Sequence, residues 1–332
     1  TQMLLIFLDL QMRAMSSRHH GGMRALESLA ASSLRKEGIG LRNLNSIREN
    51  VIIVQTNAGK FLLKGFSNSK RMKSQKKLTK LLHQNGFKKT YRFIEELEPF
   101  VFDDYVFAWI EFLPSSRKKF YFSSRHSREE GLQLLEEFHR TTEKFYDRIP
   151  VSRFNQVDKW EERFDEFEDN YSIIKKYVST DIIQTWLKWG KRSLKGLQKY
   201  ENDLYSEPLC VTHGDVAHHN FFYKDNGSLY LIDFDLISKS PPLIDYLQYS
   251  NRIMPDISGS SELWSYEQLK KYKDNRAFLY ALLFPTDIFR EWNRLVREND
   301  FHNNNYLHSV WLLTVEDLPK RVKMYKEITE RL

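Results

Sequence analysis

The sequence predicts an α+β chain in two lobes, a short strand-rich one leading into a larger, mainly helical one. Three observations carry that prediction. β-rich runs punctuated by turn residues fill positions 50–114. From about residue 127 onward apolar side chains recur at helical spacing. One short strand-rich stretch, 210–246, then interrupts the helices. A cleft between two such lobes is a common place for a ligand.

The elements follow in order. The first 35 or so residues are poorly patterned, and residues 1–40 are expected to form a disordered N-terminal extension. "MLLIFLDL" at 3–10 is apolar but short, is interrupted by Asp9 and lacks a preceding positive region. In "NVIIVQTNAGKFLLKGF" two runs, 51–56 and 60–66, flank Asn57-Ala58-Gly59 and predict a hairpin. A helix over 69–84 follows, with Gly86 as its expected C-cap. "TYRFIEELEPFVFDDYVFAWIEFLP" suggests two more strands, ended by Pro114. A helix over 127–145 carries Leu132, Leu135, Phe138 and Thr142 on one side. In the next helix Trp160, Phe164, Phe167 and Tyr171 form an apolar stripe. Helices recur at about 181–201 and across 261–332, and there are no internal repeats.

Composition bounds the function. A chain of 332 residues can bury a substantial core, and 41% hydrophobic with 29% charged residues is ordinary for a globular protein. No run of some 18 apolar residues occurs, so no membrane span is expected. The single cysteine, Cys210, excludes an internal disulfide and fits a reducing compartment such as the cytoplasm. It lies in the apolar run "LCVTHG" with no basic neighbour, as a core thiol rather than a nucleophile does. The net charge of +7 is uneven: residues 1–100 hold 18 Lys/Arg against 7 Asp/Glu. The excess concentrates in "SKRMKSQKKLTKLLHQNGFKK", whose Leu78, Leu81 and Leu82 mark one apolar face. No nucleic-acid motif accompanies it, so a solvated basic face is expected and no nucleic-acid partner.

The chemistry concentrates in "CVTHGDVAHHNFFYKDNGSLYLIDFDLISKSPPLIDY", 210–246. The runs 221–224 and 228–232 flank Asp225-Asn226-Gly227, a strong hairpin signal. Asn220 precedes the first strand and Asp233 follows the second, so a hairpin would bring an amide oxygen and a carboxylate to one rim. Hard oxygen ligands of this kind suit Mg²⁺. Asp215, five residues before Asn220, could accept a proton from an incoming hydroxyl there. Zinc at His218 and His219 is disfavoured, because adjacent histidines diverge and no second pair or cysteine supports them. Asp235 would approach the metal or cap the loop.

The pattern H-x-D-x-x-x-x-N, a hairpin and then Asp, here "HGDVAHHN…IDFD", resembles the aminoglycoside phosphotransferase and choline kinase superfamily. The resemblance runs from about residue 41 to the C-terminus. It implies a bilobal protein-kinase-like fold, with a nucleotide-binding N-lobe at 41–109 and a catalytic and substrate C-lobe at 110–332. It implies ATP- and Mg²⁺-dependent phosphorylation of a hydroxyl on a small molecule. In those terms Asp215 is the catalytic base, and Asn220 and Asp233 hold Mg²⁺. Lys64, at the end of the second hairpin strand, meets the nucleotide phosphates. His213 and Asp245 are structural supports of the catalytic loop, and "FAWIEFLP" (107–114) resembles the adenine hinge. "HQNGF", "FAWIEFLP", "EEFHRTT" and "LLFPTDIFREWN" are similar to a spore-coat-associated, kinase-like branch of spore-forming bacteria. That branch implies a second reading: a weak or inactive kinase fold that binds spore-coat proteins, in the cytoplasm or on the spore.

Two departures bear on activity. The helix after Lys64 holds no acidic residue between Asn68 and Gly86, and Gln75 is the nearest positional candidate for the usual Glu. Gln75 can hydrogen-bond Lys64 but cannot supply a counter-charge, so Lys64 is expected to lack an acidic anchor unless Asp233 provides one. Gln75→Glu is then expected to tighten ATP binding modestly. Ala217 and His219 also differ from the His and Gly frequent in that loop. Two further groups could select a cationic acceptor: the acidic helix face from Glu161 to Asp169, and the aromatics between Trp264 and Trp292. A solvated face and core packing are the expected roles of those groups.

Overall fold

The computed structural model describes residues 20–48 and 50–332. The run at 3–10 and the first 19 residues of the expected extension lie outside the described residues. The described chain divides into two compact units, one made of residues 20–118 with 222–235 and the other of 119–221 with 236–332.

The N-terminal unit is built on a five-stranded antiparallel sheet of order β1-β2-β3-β5-β4. The strands are β1 (Leu41–Arg48), β2 (Val51–Thr56), β3 (Gly59–Phe66), β4 (Phe100–Phe102) and β5 (Tyr105–Glu111). The expected β2–β3 hairpin is present, with Thr56 opposite Gly59. β1 was not legible: it reads LRNLNSIR, with only three apolar residues, yet it pairs along β2 with two register shifts. A helix was also missed. Residues His20–Lys36 form α1, inside the stretch that showed no pattern. Its Leu26, Ala30 and Leu34, spaced at 4 and 4, pack on Ile52, Val54, Leu63 and Trp109. Small residues around that stripe had hidden it.

Successive side chains on a strand face opposite sides. Leu63 joins the cluster under α1, so Lys64 points to the other face. There α2 (Ser69–Gln84) begins at Asn68, whose side chain caps the Arg71 amide. The basic residues of α2 stay outward, while Met72, Gln75, Leu78 and Leu82 are buried. The chain returns to this unit as a hairpin of strands Phe221–Tyr223 and Leu229–Leu231. Gly227 takes φ +81 in its turn, the left-handed conformation that Asp-Asn-Gly supplies cheaply.

The C-terminal unit is helical. Its main helices are α3 (Arg125–Glu143), α4 (Gln156–Asp169), α5 (Thr180–Leu204), α6 (Leu243–Ile253), α7 (Arg276–Leu282), α8 (Thr286–Glu298), α9 (Asn304–Trp311) and α10 (Leu318–Thr329). The α4 stripe of Trp160, Phe164 and Phe167 stacks on Phe284 and Phe289, with Trp160 and Phe284 centroids 4.5 Å apart. Phe289 and Trp292 are fully buried, as core packing requires. Cys210 is buried on a short strand paired with Ser238–Ser240. Its thiol faces the Ser240 carbonyl at 3.3 Å, and burial pushes its pKa well up, so it is inert. No described helix is long and apolar enough to cross a membrane.

Candidate active site

Within the N-terminal unit Lys64 is only 6% exposed, yet it is not unanchored. Its ammonium lies 2.8 Å from Asp233 Oδ1 and 2.9 Å from Asp235 Oδ1. The expectation that Asp233 could take over from a missing Glu is met, and Asp235 shares the role. Gln75 does not reach Lys64. Its amide nitrogen donates to Asp235 Oδ1 at 2.7 Å, and its carbonyl oxygen accepts from the Tyr91 hydroxyl at 3.2 Å. Gln75 therefore orients the second carboxylate of "IDFD", one step removed from the lysine. Burial holds the Tyr91 phenol pKa well up, with Asp233 and Asp235 adding to the shift, so it stays a neutral donor.

Asp233 sits at φ +68, a conformation non-glycine residues rarely adopt and Asp tolerates better than most. Such strain costs about 1–3 kcal/mol and persists where surrounding contacts fix it. The Lys64 ion pair and the buried Phe234, whose ring lies 5.7 Å from that of Tyr91, supply those contacts.

Within the C-terminal unit the other predicted residues gather on one loop. Asp245, at the start of α6, is completely buried. Its Oδ2 accepts from the His213 backbone N–H at 2.7 Å, and its Oδ1 from that of Gly214 at 2.9 Å. His139 of α3 adds a third bond, Nε2 to Oδ2 at 2.8 Å. Burial alone would raise the Asp245 pKa, but the bond and charge of His139, with His213 and the Gly214 amide, hold it below the usual carboxylate value. His139 escaped the sequence reading as a site residue, although "EEFHRTT" had been noted for its family likeness. Gly214 takes φ +77, and a Cβ there would lie 2.2 Å from the Leu236 carbonyl oxygen. Only glycine fits.

This brace sets the next residues. The Asp215 amide donates to His213 Nδ1 at 3.3 Å. Asn220 turns its amide nitrogen to the Asp215 carbonyl at 2.8 Å and to Asp215 Oδ2 at 3.3 Å. The nitrogen is thus committed to Asp215, which leaves the hard amide oxygen as the donor atom for a cation. Arg252 of α6, which no motif singled out, places Nη2 3.1 Å from Asp215 Oδ1. Among the described residues no cluster of three His, Cys, Asp or Glu side chains could hold a metal.

Asp215, Arg252 and Gly214 line a cavity of about 560 Å³ contained in the C-terminal unit. Trp186, Trp189 and Tyr325 form an aromatic wall, with the rings of Trp189 and Tyr325 stacked 4.0 Å apart. From α4 the cavity receives Lys159, Trp160 and Arg163, not the acidic face. That face is largely exposed, and Glu166 meets Arg297 on the surface.

A family model described as "Phosphotransferase enzyme family" matches residues 40–281. The chain belongs to that phosphotransferase family. Solved structures show the same fold at low identity. The aminoglycoside phosphotransferase from Alicyclobacillus acidocaldarius is 14% identical, with 88% of this chain and 92% of that one covered and a TM-score of 0.67. The macrolide 2'-phosphotransferase from Brachybacterium faecium is 9% identical, covering 86% and 98%, with a TM-score of 0.56. The GDP complex of the aminoglycoside 2'-phosphotransferase-IIIa is 15% identical, covering 88% and 97%, with a TM-score of 0.59. No curated protein sequence matches the chain.

Proposed function

We propose that this phosphotransferase moves the γ-phosphoryl group of ATP to a hydroxyl of a small molecule, in a Mg²⁺-dependent reaction. The observation that carries the reading is the setting of Asp215: a carboxylate fixed by Asn220 and Arg252 on the wall of a cavity large enough for a small acceptor. The family match supports the same chemistry, and a GDP complex among the structural neighbours supports a nucleotide donor.

In this reading the acceptor hydroxyl gives its proton to an Asp215 carboxylate oxygen as its own oxygen bonds to the γ-phosphorus. The β–γ bridging oxygen departs with ADP. Lys64, already desolvated and aligned by two carboxylates, is the cation for the nucleotide phosphates. Asn220 and Asp233 would hold Mg²⁺, since each offers a hard oxygen and the Asn220 nitrogen is engaged elsewhere. The ion, when bound, offsets phosphate charge. The buried brace of Asp245, His139 and Gly214 keeps the loop in one conformation, so the reacting groups need not be ordered during turnover.

The test is ADP release with Mg²⁺-ATP and a panel of hydroxyl compounds, beside calorimetry of ATP with and without Mg²⁺. Asp215→Asn should keep nucleotide binding and lose transfer by about 10²–10⁴-fold. Metal-independent ATP binding with no turnover on any acceptor would instead favour a binding or coat-assembly role.

A further inference from the structure

The charge on the cavity wall bears on which acceptor enters. Six cationic side chains and three carboxylates line the cavity. Two of the carboxylates are already matched. Asp215 pairs with Arg252 at 3.1 Å, and Asp287 holds Arg321 in a two-pronged bridge at 3.1 and 2.5 Å. Arg290 pairs with Glu291, at 2.6 Å. Lys320 donates to the Pro255 carbonyl, and Lys159 and Arg163 are left, one turn apart on α4 and facing the same space. Lys159 has no carboxylate partner among the described residues; its ammonium rests over the Phe154 ring at 5.1 Å. Arg163 donates only to neutral oxygens of Thr286, the hydroxyl at 2.5 Å and the carbonyl at 3.3 Å.

Crowding of like charge shows in how these groups titrate. Burial, then Arg290, pushes Arg163 down to about 10, and Glu291 and Glu166 offset only part of that. Burial, then Arg163 and Arg290, lowers the Lys159 pKa. Burial and Arg290 also lower that of Arg252, against the pull of Asp215. A partly dehydrated wall of mutually repelling cations gains most from a bound anion, and guanidinium groups bind carboxylate or phosphate in a directed way. The same wall repels a polycation such as an aminoglycoside.

We propose that the acceptor is an anionic hydroxyl compound, one whose carboxylate or phosphate group is bound by Lys159, Arg163 and Arg290. Its hydroxyl is then presented to Asp215 on the same cavity. The inference rests on the phosphotransferase reading for the word acceptor, whereas the anion site itself does not.

Two measurements separate those parts. In the first, inorganic phosphate and acetate are titrated at constant ionic strength, with melting temperature and heat as readouts. Lys159→Gln and Arg163→Gln are compared with Lys175→Gln/Lys176→Gln, which removes two exposed charges outside the cavity. Saturable binding should appear in the wild type and in the control. It should weaken about tenfold in each wall variant, as loss of one charge-assisted contact implies. Lys159 makes no hydrogen bond or ion pair among the described residues and only rests over the Phe154 ring, so its variant should fold even if Arg163→Gln does not. No saturable binding of either anion, or equal loss in the control, overturns the proposal.

In the second, Mg²⁺-ATP is supplied with glycerate and glycerol 3-phosphate, with glycerol and glucose, and with choline and kanamycin. The expected result is turnover in the anionic arm, and glycerate against glycerol 3-phosphate tells carboxylate from phosphate. Preferred turnover of choline, kanamycin or the neutral compounds overturns the proposal. Anion binding with no turnover in any arm refutes phosphoryl transfer while supporting the anion site.

Discussion

Gln75→Glu is the sharpest perturbation of the N-terminal unit, because sequence and structure give it opposite signs. By sequence, a glutamate at 75 restores a partner for Lys64 and tightens ATP binding. In the structure, Lys64 already has Asp233 and Asp235, and position 75 addresses Asp235. The substitution swaps an N–H donor 2.7 Å from a carboxylate for a second carboxylate. Loss of a hydrogen bond to a charged group costs about 1.5–3 kcal/mol. Two carboxylates at about 4 Å repel by up to about 4 kcal/mol at an effective dielectric constant near 20. Gln75 is only 1% exposed, so water cannot readily replace the bond, but the exposed edge of Asp235 can relax. A net loss of about 2–4 kcal/mol follows, or a fall in melting temperature on the order of 5–10 °C. The deficit carries a pH signature. Crowding raises the folded-state pKa of the introduced glutamate above its unfolded value of about 4.3. The folded form then binds more protons in that window, so the deficit is small below about pH 4 and grows as pH rises through the folded pKa. Gln75→Glu/Asp235→Asn restores one donor and one acceptor and should recover much of the loss. The assay is thermal unfolding of wild type and the single and double variants from pH 4 to 8. Wild-type stability of Gln75→Glu at pH 8, or tighter ATP binding, would refute the geometry.

The C-terminal unit yields two further predictions. Gly214→Ala forces a Cβ to 2.2 Å from a backbone oxygen at φ +77, so the loop must move; the strained conformation alone costs about 1–3 kcal/mol, and phosphoryl transfer should fall with nucleotide binding retained, measured by steady-state kinetics beside ATP calorimetry. His139→Ala leaves the buried Asp245 carboxylate without its side-chain partner and should cost about 3–5 kcal/mol in urea unfolding. Because the folded-state pKa of Asp245 is lowered, its contribution to stability is complete above about 3.9, the unfolded value, and is lost as pH falls through the folded pKa. Asp245→Asn should flatten the acid limb of a stability–pH profile, and an unchanged limb would mean that other carboxylates set it.

What was legible in the sequence is what local chemistry fixes. The β2–β3 hairpin and the 221–231 hairpin carry their turn residues within a few positions, and α2 and α4 carry their stripes, so each was found nearly in place. The loop of His213, Asp215 and Asn220 is equally local, with Asp245 a short way downstream. Elements whose stability comes from elsewhere were lost. β1 has a polar run and gains its order from pairing with β2, and α1 buries only three well-spaced residues amid Ala, Ser and Gly.

Two charge arrangements that the sequence did not reveal have a common cause. Gln75 was judged by its position in a kinase pattern, where position 75 answers to Lys64 alone. Electrostatics acts on a cluster, and here the cluster has one lysine and two aspartates. With two carboxylates already on Lys64, a third at position 75 would be in excess, and a neutral donor is the residue that satisfies Asp235 without adding charge. The acidic face of α4, where six acids stand together in the sequence, was weighed as a lure for cations and expected to be solvated, and it is largely exposed. The cavity instead takes Lys159 and Arg163 from the same helix, Arg252 from α6, Arg290 from α8 and Arg321 from α10. No window of sequence contains that set, since its members come from four helices and meet only when the unit is folded. The potential felt by a substrate is therefore a tertiary quantity. It points here to an anion, whereas the run of acids along α4 lies on a solvated face.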